Sequence, residues 1–307
     1  MSSDLGGLRI GKPQVFNQIV IYPLLGAVNG GPDYLPLNTA MDRPAVTVTE
    51  VDEGGSVPEL KVKTEPELPI LIIDGEELIS AKQNRVVNTS ILLGERDELT
   101  IPVSCTEQGR WQYTSWAFQK SATVLERKAR ARKSSSVNCS LEESEGHKSN
   151  QGDVWGSISE VSVKACVNSP TSAMKDVYEN RENDLRNAMQ LFTAPPDQMD
   201  MIVEIDGKIV GLDWLSQPHA YTELNDKLVK SYVLDPLLEP AKPKAKRFLE
   251  ATLRAKGNEF ESSGRGKDIR FKARQLACAS PLRRLDQFRC EVGPPRVRSR
   301  FRRALTA

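Results

Sequence analysis

Between residues 46 and 104, short runs of β-branched and other apolar residues follow one another at close spacing. The gaps between them hold Gly, Pro and Asp, and the runs lie near 46–51, 59–64, 68–73, 86–93 and 98–104. Runs of this length and composition, bounded by turn residues, are typical of β-strands. Because no helix intervenes, we expect neighbouring strands to pair mainly in antiparallel sheets.

Helical periodicity begins only in the second half of the chain. Val154, Ile158 and Val161 fall on one face of a helix that starts near residue 151. Further helices are predicted over 174–192, about 221–232 and about 241–255. The sequence therefore predicts an α+β fold, with a largely antiparallel, β-rich N-terminal part and a helix-containing C-terminal part.

The clearest local prediction is a hairpin. Asp206 and Gly207 separate two short apolar runs. A type I′ turn needs positive φ at both central positions, and Asp-Gly is among the pairs that tolerate this. We therefore expect two antiparallel strands joined by this dipeptide.

The same patterns divide the chain into four segments. Residues 113–150 are polar and include the basic run 127–133, which we interpret as a solvated loop, with anion binding as the alternative. The segments are 1–112, a β-rich part carrying the polar clusters described below; 113–150, a polar, basic loop; 151–281, an α+β part sharing the core; and 282–307, an Arg-rich, disordered tail.

The tail differs in charge from the rest of the chain. Residues 282–307 hold eight arginines and two acidic residues, which is +6, so the remainder carries −5 of the net +1. The acidic body is not built to bind nucleic acid, but the tail could bind polyanions weakly. A short helix before Gly293 is the alternative to a disordered tail.

The composition predicts a cytoplasmic protein without a metal site. No apolar run approaches the roughly 20 residues that span a bilayer. The five cysteines are widely spaced and form no Cys-x-x-Cys pair, which favours a reducing compartment. With two histidines in the chain, we expect no metal site, and the residues leave the cofactor unknown.

Two polar clusters follow strand-like runs and mark the candidate ligand site. Arginine offers a planar fork for phosphate or carboxylate, amides read ribose or base edges, and tryptophan offers a stacking face. Such a set suits a nucleotide-type ligand. The alternative is a structural polar network that ties loops to the sheet. The candidate ligand-binding residues are Gln83, Asn84, Arg85, Gln108, Arg110 and Trp111.

Candidates for acid–base chemistry are three glutamates, although the residues alone do not decide whether a reaction occurs. Glu50, Glu76 and Glu107 could converge from three strands, while solvated carboxylates are the alternative. Adjacent Glu76 and Glu77 would face opposite sides of a strand. A Cys105 nucleophile with His147 or His219 as base competes with a simpler role for Cys105 as a small buried residue.

Several segments, read in order over about residues 5–281, resemble an uncharacterised bacterial family, the ADP-ribosylglycohydrolase and rhodanese-phosphatase-superfamily-associated protein domain. They include Gly54-Gly55-Ser56-Val57-Pro58-Glu59-Leu60, Asp74-Gly75-Glu76-Glu77-Leu78, Ala81-Lys82-Gln83-Asn84-Arg85, Glu107-Gln108-Gly109-Arg110-Trp111 and Leu228-Val229-Lys230-Ser231-Tyr232. The resemblance implies a link to NAD or ADP-ribose metabolism by association and assigns no catalytic residue.

The chain departs from the family pattern after about Pro281. There the resemblance implies an apolar strand, a turn and a second strand, whereas this chain turns Arg-rich. A slipped reading frame in a GC-rich gene would produce such a change, and resequencing the gene tests that hypothesis.

Overall fold

The computed structural model describes residues 7–26, 32–65, 68–234, 257–264, 267–273, 276–280 and 287–291. The strands are β1 (Arg9–Ile10), β2 (Gln14–Phe16), β3 (Ile19–Leu25), β4 (Leu35–Pro36), β5 (Val46–Thr49), β6 (Glu59–Thr64), β7 (Ile70–Ile72), β8 (Glu76–Ser80), β9 (Arg85–Val87), β10 (Ile91–Leu93), β11 (Glu98–Cys105), β12 (Phe118–Val124), β13 (Gln198–Ile205), β14 (Lys208–Leu215), β15 (Gly257–Glu261), β16 (Lys267–Ala273), β17 (Leu276–Ser280) and β18 (Gln287–Glu291). The helices are α1 (Leu37–Asp42), α2 (Arg127–Glu142), α3 (Gln151–Ala165), α4 (Met174–Asn180), α5 (Glu182–Met189) and α6 (Pro218–Val233).

The strands form three sheets. The largest has the order β1-β3-β13-β14-β18-β17-β16-β15, with β2 paired to β3. A six-stranded sheet has the order β12-β8-β9-β11-β6-β5, and a three-stranded sheet has the order β10-β7-β4. Apart from the parallel pair β4–β7, the strand pairs in these sheets are antiparallel. The predicted α+β fold with largely antiparallel sheets is confirmed.

Local turn chemistry produces the predicted β13–β14 hairpin. Ile205 and Lys208 are register partners on either side of the turn. Asp206 and Gly207 have φ values of 52° and 69°, the signs that a type I′ turn requires.

The predicted helices at 151 and 221–232 are present as α3 and α6, whereas the one over 174–192 is broken at Arg181 into α4 and α5. The predicted helix at 241–255 lies outside the described residues.

Residues 113–150 are not the solvated loop that the sequence predicted. They contain strand β12, which pairs with β8, and helix α2, which spans the basic run. The Glu126 side chain begins this helix by accepting hydrogen bonds from the backbone N–H groups of Lys128 and Ala129. Within α2, Arg130 and Lys133 are fully buried. The charge pattern did not predict this burial, because the carboxylates that neutralise these residues are distant in sequence: Asp213 lies in β14 and Asp74 in the turn between β7 and β8.

Both halves of the chain contribute to one hydrophobic core. Ile21 and Val86 of the early strands are in the same cluster as Val154 of α3 and Leu228 of α6. A second cluster fills the space between the smaller sheets and α1, and includes Val48, Leu60, Ile70, Val87 and Val103. One face of the six-stranded sheet is therefore packed in the interior of the protein. Among the described residues, no helix is long and apolar enough to cross a membrane.

Part of the predicted disordered tail forms a strand. Residues 287–291 make β18, in which Phe288 is the register partner of Trp214 in β14 and Cys290 that of Cys278 in β17. The prediction of disorder, and the alternative of a short helix, are both wrong for this segment. Strand pairing uses backbone groups, so a high arginine content does not prevent it. The rest of the tail, 282–286 and 292–307, lies outside the described residues.

Candidate functional site

The two predicted polar clusters lie side by side at one end of the neighbouring strands β9 and β11 of the six-stranded sheet. Strand β9 begins at Arg85 and β11 ends at Cys105, and these two residues are register partners in the antiparallel pair. The loop before β9 and the loop after β11 therefore leave the sheet at the same point. Antiparallel pairing thus brings together residues that the sequence placed about twenty positions apart.

Arg110 joins the two loops through bonds within the protein. Its Nε donates to Glu107 Oε1 at 2.9 Å and its Nη2 to Glu107 Oε2 at 2.7 Å. Its Nη1 donates to the carbonyl oxygens of Ala81 and Gln112 at 2.8 and 2.9 Å. Burial opposes ionisation of Glu107, but the bonds from Arg110 and the Asn84 backbone hold the pKa of Glu107 below its usual range. This pair is a structural brace, and its donors are already engaged.

A second set of contacts buries Arg85 beneath the loops. Arg85 is fully buried, and its Nη1 donates to Gln83 Oε1 at 2.7 Å. Gln83 Nε2 in turn donates to the Glu107 carbonyl at 2.7 Å. Among the described residues, Arg85 Nε and Nη2 have no hydrogen-bond partner. A buried guanidinium with two uncommitted donors is unusual, because leaving such groups unmatched costs free energy.

Cys105 is not the nucleophile that the sequence allowed. Its Sγ lies 3.1 Å from Gln83 Oε1 and 2.9 Å from the Glu107 carbonyl oxygen. Burial raises the pKa of Cys105, which keeps the thiol protonated. Neither proposed base contacts it, because His147 binds Asp268 and His219 lies against the Tyr34 carbonyl. The alternative role, a small buried residue, is the one observed.

Glu50 is the most unusual acid of the site. It is 6% exposed, and among the described residues no side chain donates a hydrogen bond to either carboxylate oxygen, although the Lys82 backbone N–H lies near them. Burial raises the pKa of Glu50, and the charge of Arg85, followed by the backbone N–H and the charge of Lys82, offsets only part of that rise. A buried carboxylate that the protein leaves unmatched can accept hydrogen bonds from a ligand once the covering groups, Gly55 and the Lys82 side chain, move aside.

Glu50 lines a cleft beside the polar clusters. Residues 49–53 and 113–116, together with Lys61, enclose a space of about 940 Å³. Aromatic side chains at its rim are open to solvent, since Trp116 is 76% and Tyr113 44% exposed. The lining also includes Asp52 and Glu53, so it holds three carboxylates and one lysine. The cleft is therefore acidic, with flat surfaces available for stacking.

Lys82 links the cleft to Trp111. Its Nζ lies 4.8 Å from the ring centroid of Tyr113 and 5.4 Å from that of Trp111. The same Nζ donates to the carbonyl oxygens of Glu53 and Gly54, so it holds the acidic loop in place. Trp111 also covers Arg85, whose Cζ lies 5.4 Å from the ring centroid. Half of Trp111 nonetheless remains exposed.

Two of the predicted site residues do not join this arrangement. Glu76 is fully buried and accepts a hydrogen bond from Lys227 of α6 at 2.7 Å, so the predicted convergence of three glutamates fails. Glu77 faces the other side of β8, as expected for adjacent strand residues, and binds Thr106 and Thr123. Gln108 is exposed at the tip of its loop.

Sequence reasoning missed the wall of the cleft. Tyr113 and Trp116 follow directly after the second cluster, and three aromatics within the six positions 111–116 of a polar loop were a usable signal. The acidic loop 51–53 gave no such sequence signal, because exposed acidic residues are common on any protein surface. Among the described residues, no group of three or more His, Cys, Asp or Glu side chains is placed to hold a metal ion.

The fold and site define an α+β domain in which loops at the ends of sheet strands line an acidic cleft with aromatic walls. The chain belongs to the ARG and Rhodanese-Phosphatase-superfamily-associated Protein domain family, whose model matches residues 7–287. The match therefore ends at the first residue of β18. No curated protein and no solved structure matched the chain.

Proposed function

We propose that this domain binds a nucleotide-type ligand of NAD or ADP-ribose metabolism, with the ribosyl part of the ligand against Glu50. The observation that carries the proposal is the buried, unmatched Glu50 carboxylate in the lining of the cleft. Leaving a buried carboxylate without side-chain donors costs free energy. When Gly55 and the Lys82 side chain move aside, a vicinal ribose diol supplies two O–H donors at the spacing of two carboxylate oxygens. The family name supports the ligand class by association.

The exposed aromatics supply the second part of the argument. Trp116 and Tyr113 stand at the rim of the same cleft. Stacking of a base on an aromatic side chain contributes about 1–3 kcal/mol by alanine substitution. A base held at the rim and a ribose held near Glu50 would together fill a cleft of this size.

Charge sets the orientation of the ligand. The carboxylates of Asp52, Glu53 and Glu50 would repel a diphosphate placed deep in the cleft. Lys61 is the cation in the lining, so the diphosphate should lie on its side of the cleft. An acidic interior favours hydroxyl groups and developing positive charge.

If the domain also processes its ligand, Glu50 is the residue we assign to the chemistry. Cleavage at an anomeric carbon passes through an oxocarbenium-like transition state, which a nearby carboxylate stabilises. The other two candidates are committed elsewhere, because Glu107 binds Arg110 and Glu76 binds Lys227. Arg85 lies close enough to influence the charge of Glu50.

A thermal-shift titration with ADP-ribose, NAD and AMP tests the proposal. Ligand at 100 times its dissociation constant should stabilise the wild type by about 2.7 kcal/mol. Glu50→Gln and Trp116→Ala should lose most of this shift while melting at or near the wild-type temperature without ligand. Val163→Ala, a truncation at a side chain that is 74% exposed on α3, should keep the full shift and serves as control.

The competing function is a non-catalytic interaction scaffold. It is favoured by the Arg110–Glu107 brace, whose groups are engaged within the protein. Under that reading, none of the three ligands shifts the melting temperature, while Arg110→Ala still destabilises the protein. A shift that survives in both Glu50→Gln and Trp116→Ala would instead place the ligand outside the cleft.

A further inference from the structure

Away from the cleft, a serine, a histidine and an aspartate form a continuous hydrogen-bonded chain. The Ser263 hydroxyl lies 2.9 Å from His147 Nδ1. His147 Nε2 lies 2.8 Å from Asp268 Oδ2. We propose that Ser263, His147 and Asp268 form a nucleophile–base–acid triad that hydrolyses carboxylic esters. None of these residues belongs to the cleft, so this proposal stands apart from the proposed ligand binding.

Three separate segments supply the triad. His147 follows the end of α2, and its carbonyl oxygen accepts a hydrogen bond from Asn88 Nδ2 at 3.1 Å, which fixes the backbone there. Asp268 lies at the start of β16, and Ser263 lies in the loop between β15 and β16. Such arrangements recur on unrelated folds and are recognised by geometry and role, whatever the chain order.

The surroundings of Asp268 fix the proton positions on the imidazole. Arg270 Nε and Nη2 donate to Asp268 Oδ2 at 2.9 and 2.8 Å. Burial opposes ionisation of this acid, yet Arg270 and His147 hold the pKa of Asp268 below its usual range. An ionised carboxylate only accepts hydrogen bonds, so His147 Nε2 is the donor. In a neutral ring Nδ1 is then the acceptor, and the Ser263 hydroxyl points its proton at it.

The three members of the triad differ in solvent exposure in the way that a nucleophilic site requires. His147 is 9% exposed and Asp268 2%, whereas Ser263 is only half-buried, so the serine is the member of the triad nearest to solvent. A network that only stabilised the fold would not need the hydrogen bond between Ser263 and His147. Arg270 already neutralises Asp268, and a half-buried serine can bond to water.

The reaction balances with water as the second substrate. Ser263 Oγ forms a bond to the acyl carbon while its proton moves to His147 Nδ1. The bond from the acyl carbon to the alcohol oxygen breaks, and that oxygen takes the proton from His147. Water then attacks the acyl-serine and gives a proton to His147 as the Oγ–carbon bond breaks. Oγ recovers the proton, and the products are a carboxylic acid and an alcohol.

The test uses the full chain with a fluorophosphonate probe and intact-mass spectrometry. In the labelling reaction Ser263 Oγ bonds to phosphorus and fluoride leaves. We expect one phosphonyl adduct, located on Ser263 by peptide mapping, and a burst of nitrophenol from 4-nitrophenyl acetate. Ser263→Ala should abolish both signals, and His147→Gln should slow labelling by about 100-fold or more. Ser262→Ala, the neighbouring serine, should label as the wild type does.

Asp268 is a positioning residue, because it acts through the His147 imidazole. Asp268→Asn should lower the labelling rate at saturating probe and leave the half-saturating probe concentration unchanged, a split that general loss of structure would not produce. The proposal is overturned if folded wild type takes up no probe, or if the adduct persists in Ser263→Ala. An unlabelled wild type whose Ser263→Ala variant melts at a lower temperature would identify the chain of bonds as structural.

Discussion

Arg130 of α2 binds Asp213 of β14, with 3.1 Å between Nη2 and Oδ2, and both side chains are buried. The Tyr232 hydroxyl donates to the same carboxylate oxygen at 2.7 Å, and the Arg130 guanidinium lies 5.3 Å from the Tyr232 ring centroid. This group joins the helix that sequence analysis assigned to a loop with the largest sheet and with α6.

Removing one partner of this ion pair should strongly destabilise the protein. Arg130→Ala or Asp213→Ala deprives the remaining buried charge of this partner, which costs about 3–5 kcal/mol. Urea unfolding measures the change. Arg132→Ala, which removes the exposed pair with Glu160 on the same helix, is the control and should cost about 1 kcal/mol or less. Equal losses in the two arginine variants would contradict the interior placement of Arg130.

Asp200 should make the stability of the protein fall as pH rises. Burial, and then the charge of Asp213, raise the pKa of Asp200 well above its usual value. A raised folded-state pKa means that the folded protein binds this proton more readily than the unfolded chain does. The resulting stabilisation is complete below the usual aspartate pKa and is lost as pH rises through the raised one.

Asp200→Asn checks that sign. The amide is a neutral stand-in for the protonated acid, so the variant should gain stability relative to wild type as pH rises, and the two should converge in acid. Urea unfolding across the acid and neutral range gives both curves, with Glu59→Gln on the exposed face of β6 as control. Parallel curves for wild type and Asp200→Asn would refute the assignment.

Replacing either of two glycines by alanine should change the stability of the protein, in opposite directions at the two positions. A Cβ at Gly211 would clash with the Tyr232 hydroxyl, which Asp213 holds in place, so Gly211→Ala should cost about 1–3 kcal/mol through overpacking. At Gly156 in α3 a Cβ meets nothing within 4 Å. Gly156→Ala should therefore stabilise the helix by up to about 1 kcal/mol. Melting temperatures of the two variants decide the matter, and a neutral Gly211→Ala would show that Tyr232 can move.

Truncation should separate the strand in the tail from the residues beyond it. A chain ending at Pro281 lacks β18 and exposes the edges of β14 and β17, so its melting temperature should fall by more than a few degrees. A chain ending at Glu291 keeps β18 and should melt as the full chain does. We expect it to lose only weak, salt-sensitive binding to polyanions, measured with heparin at low and high salt. Unchanged melting of the shorter chain would argue against the β18 pairing.

The parts of the fold that sequence analysis predicted correctly depend on neighbouring residues. The turn at Asp206 and Gly207 follows from which residues tolerate positive φ. Helix α3 follows from apolar spacing, with Asn150 available to accept from the Asp153 backbone N–H. The polar clusters at 83–85 and 107–111 were also located correctly at strand ends, because a strand and the loop that ends it are read from a few residues.

Burial and partnership of the charged residues were decided only by the tertiary structure. Lys133 binds Asp74 across 59 positions of sequence, Glu76 binds Lys227 across 151, and His147 meets Asp268 across 121. A side chain's own type fixes its charge and its hydrogen-bonding capacity, but whether it is buried, and against which partner, depends on how the sheets and helices pack. The sequence by itself determined the Asp206–Gly207 turn, helix α3, several of the strands and the kind of chemistry available. Three-dimensional packing determined that Glu50 has no side-chain donor beside a cleft, whereas Glu107 binds Arg110 and Glu76 binds Lys227.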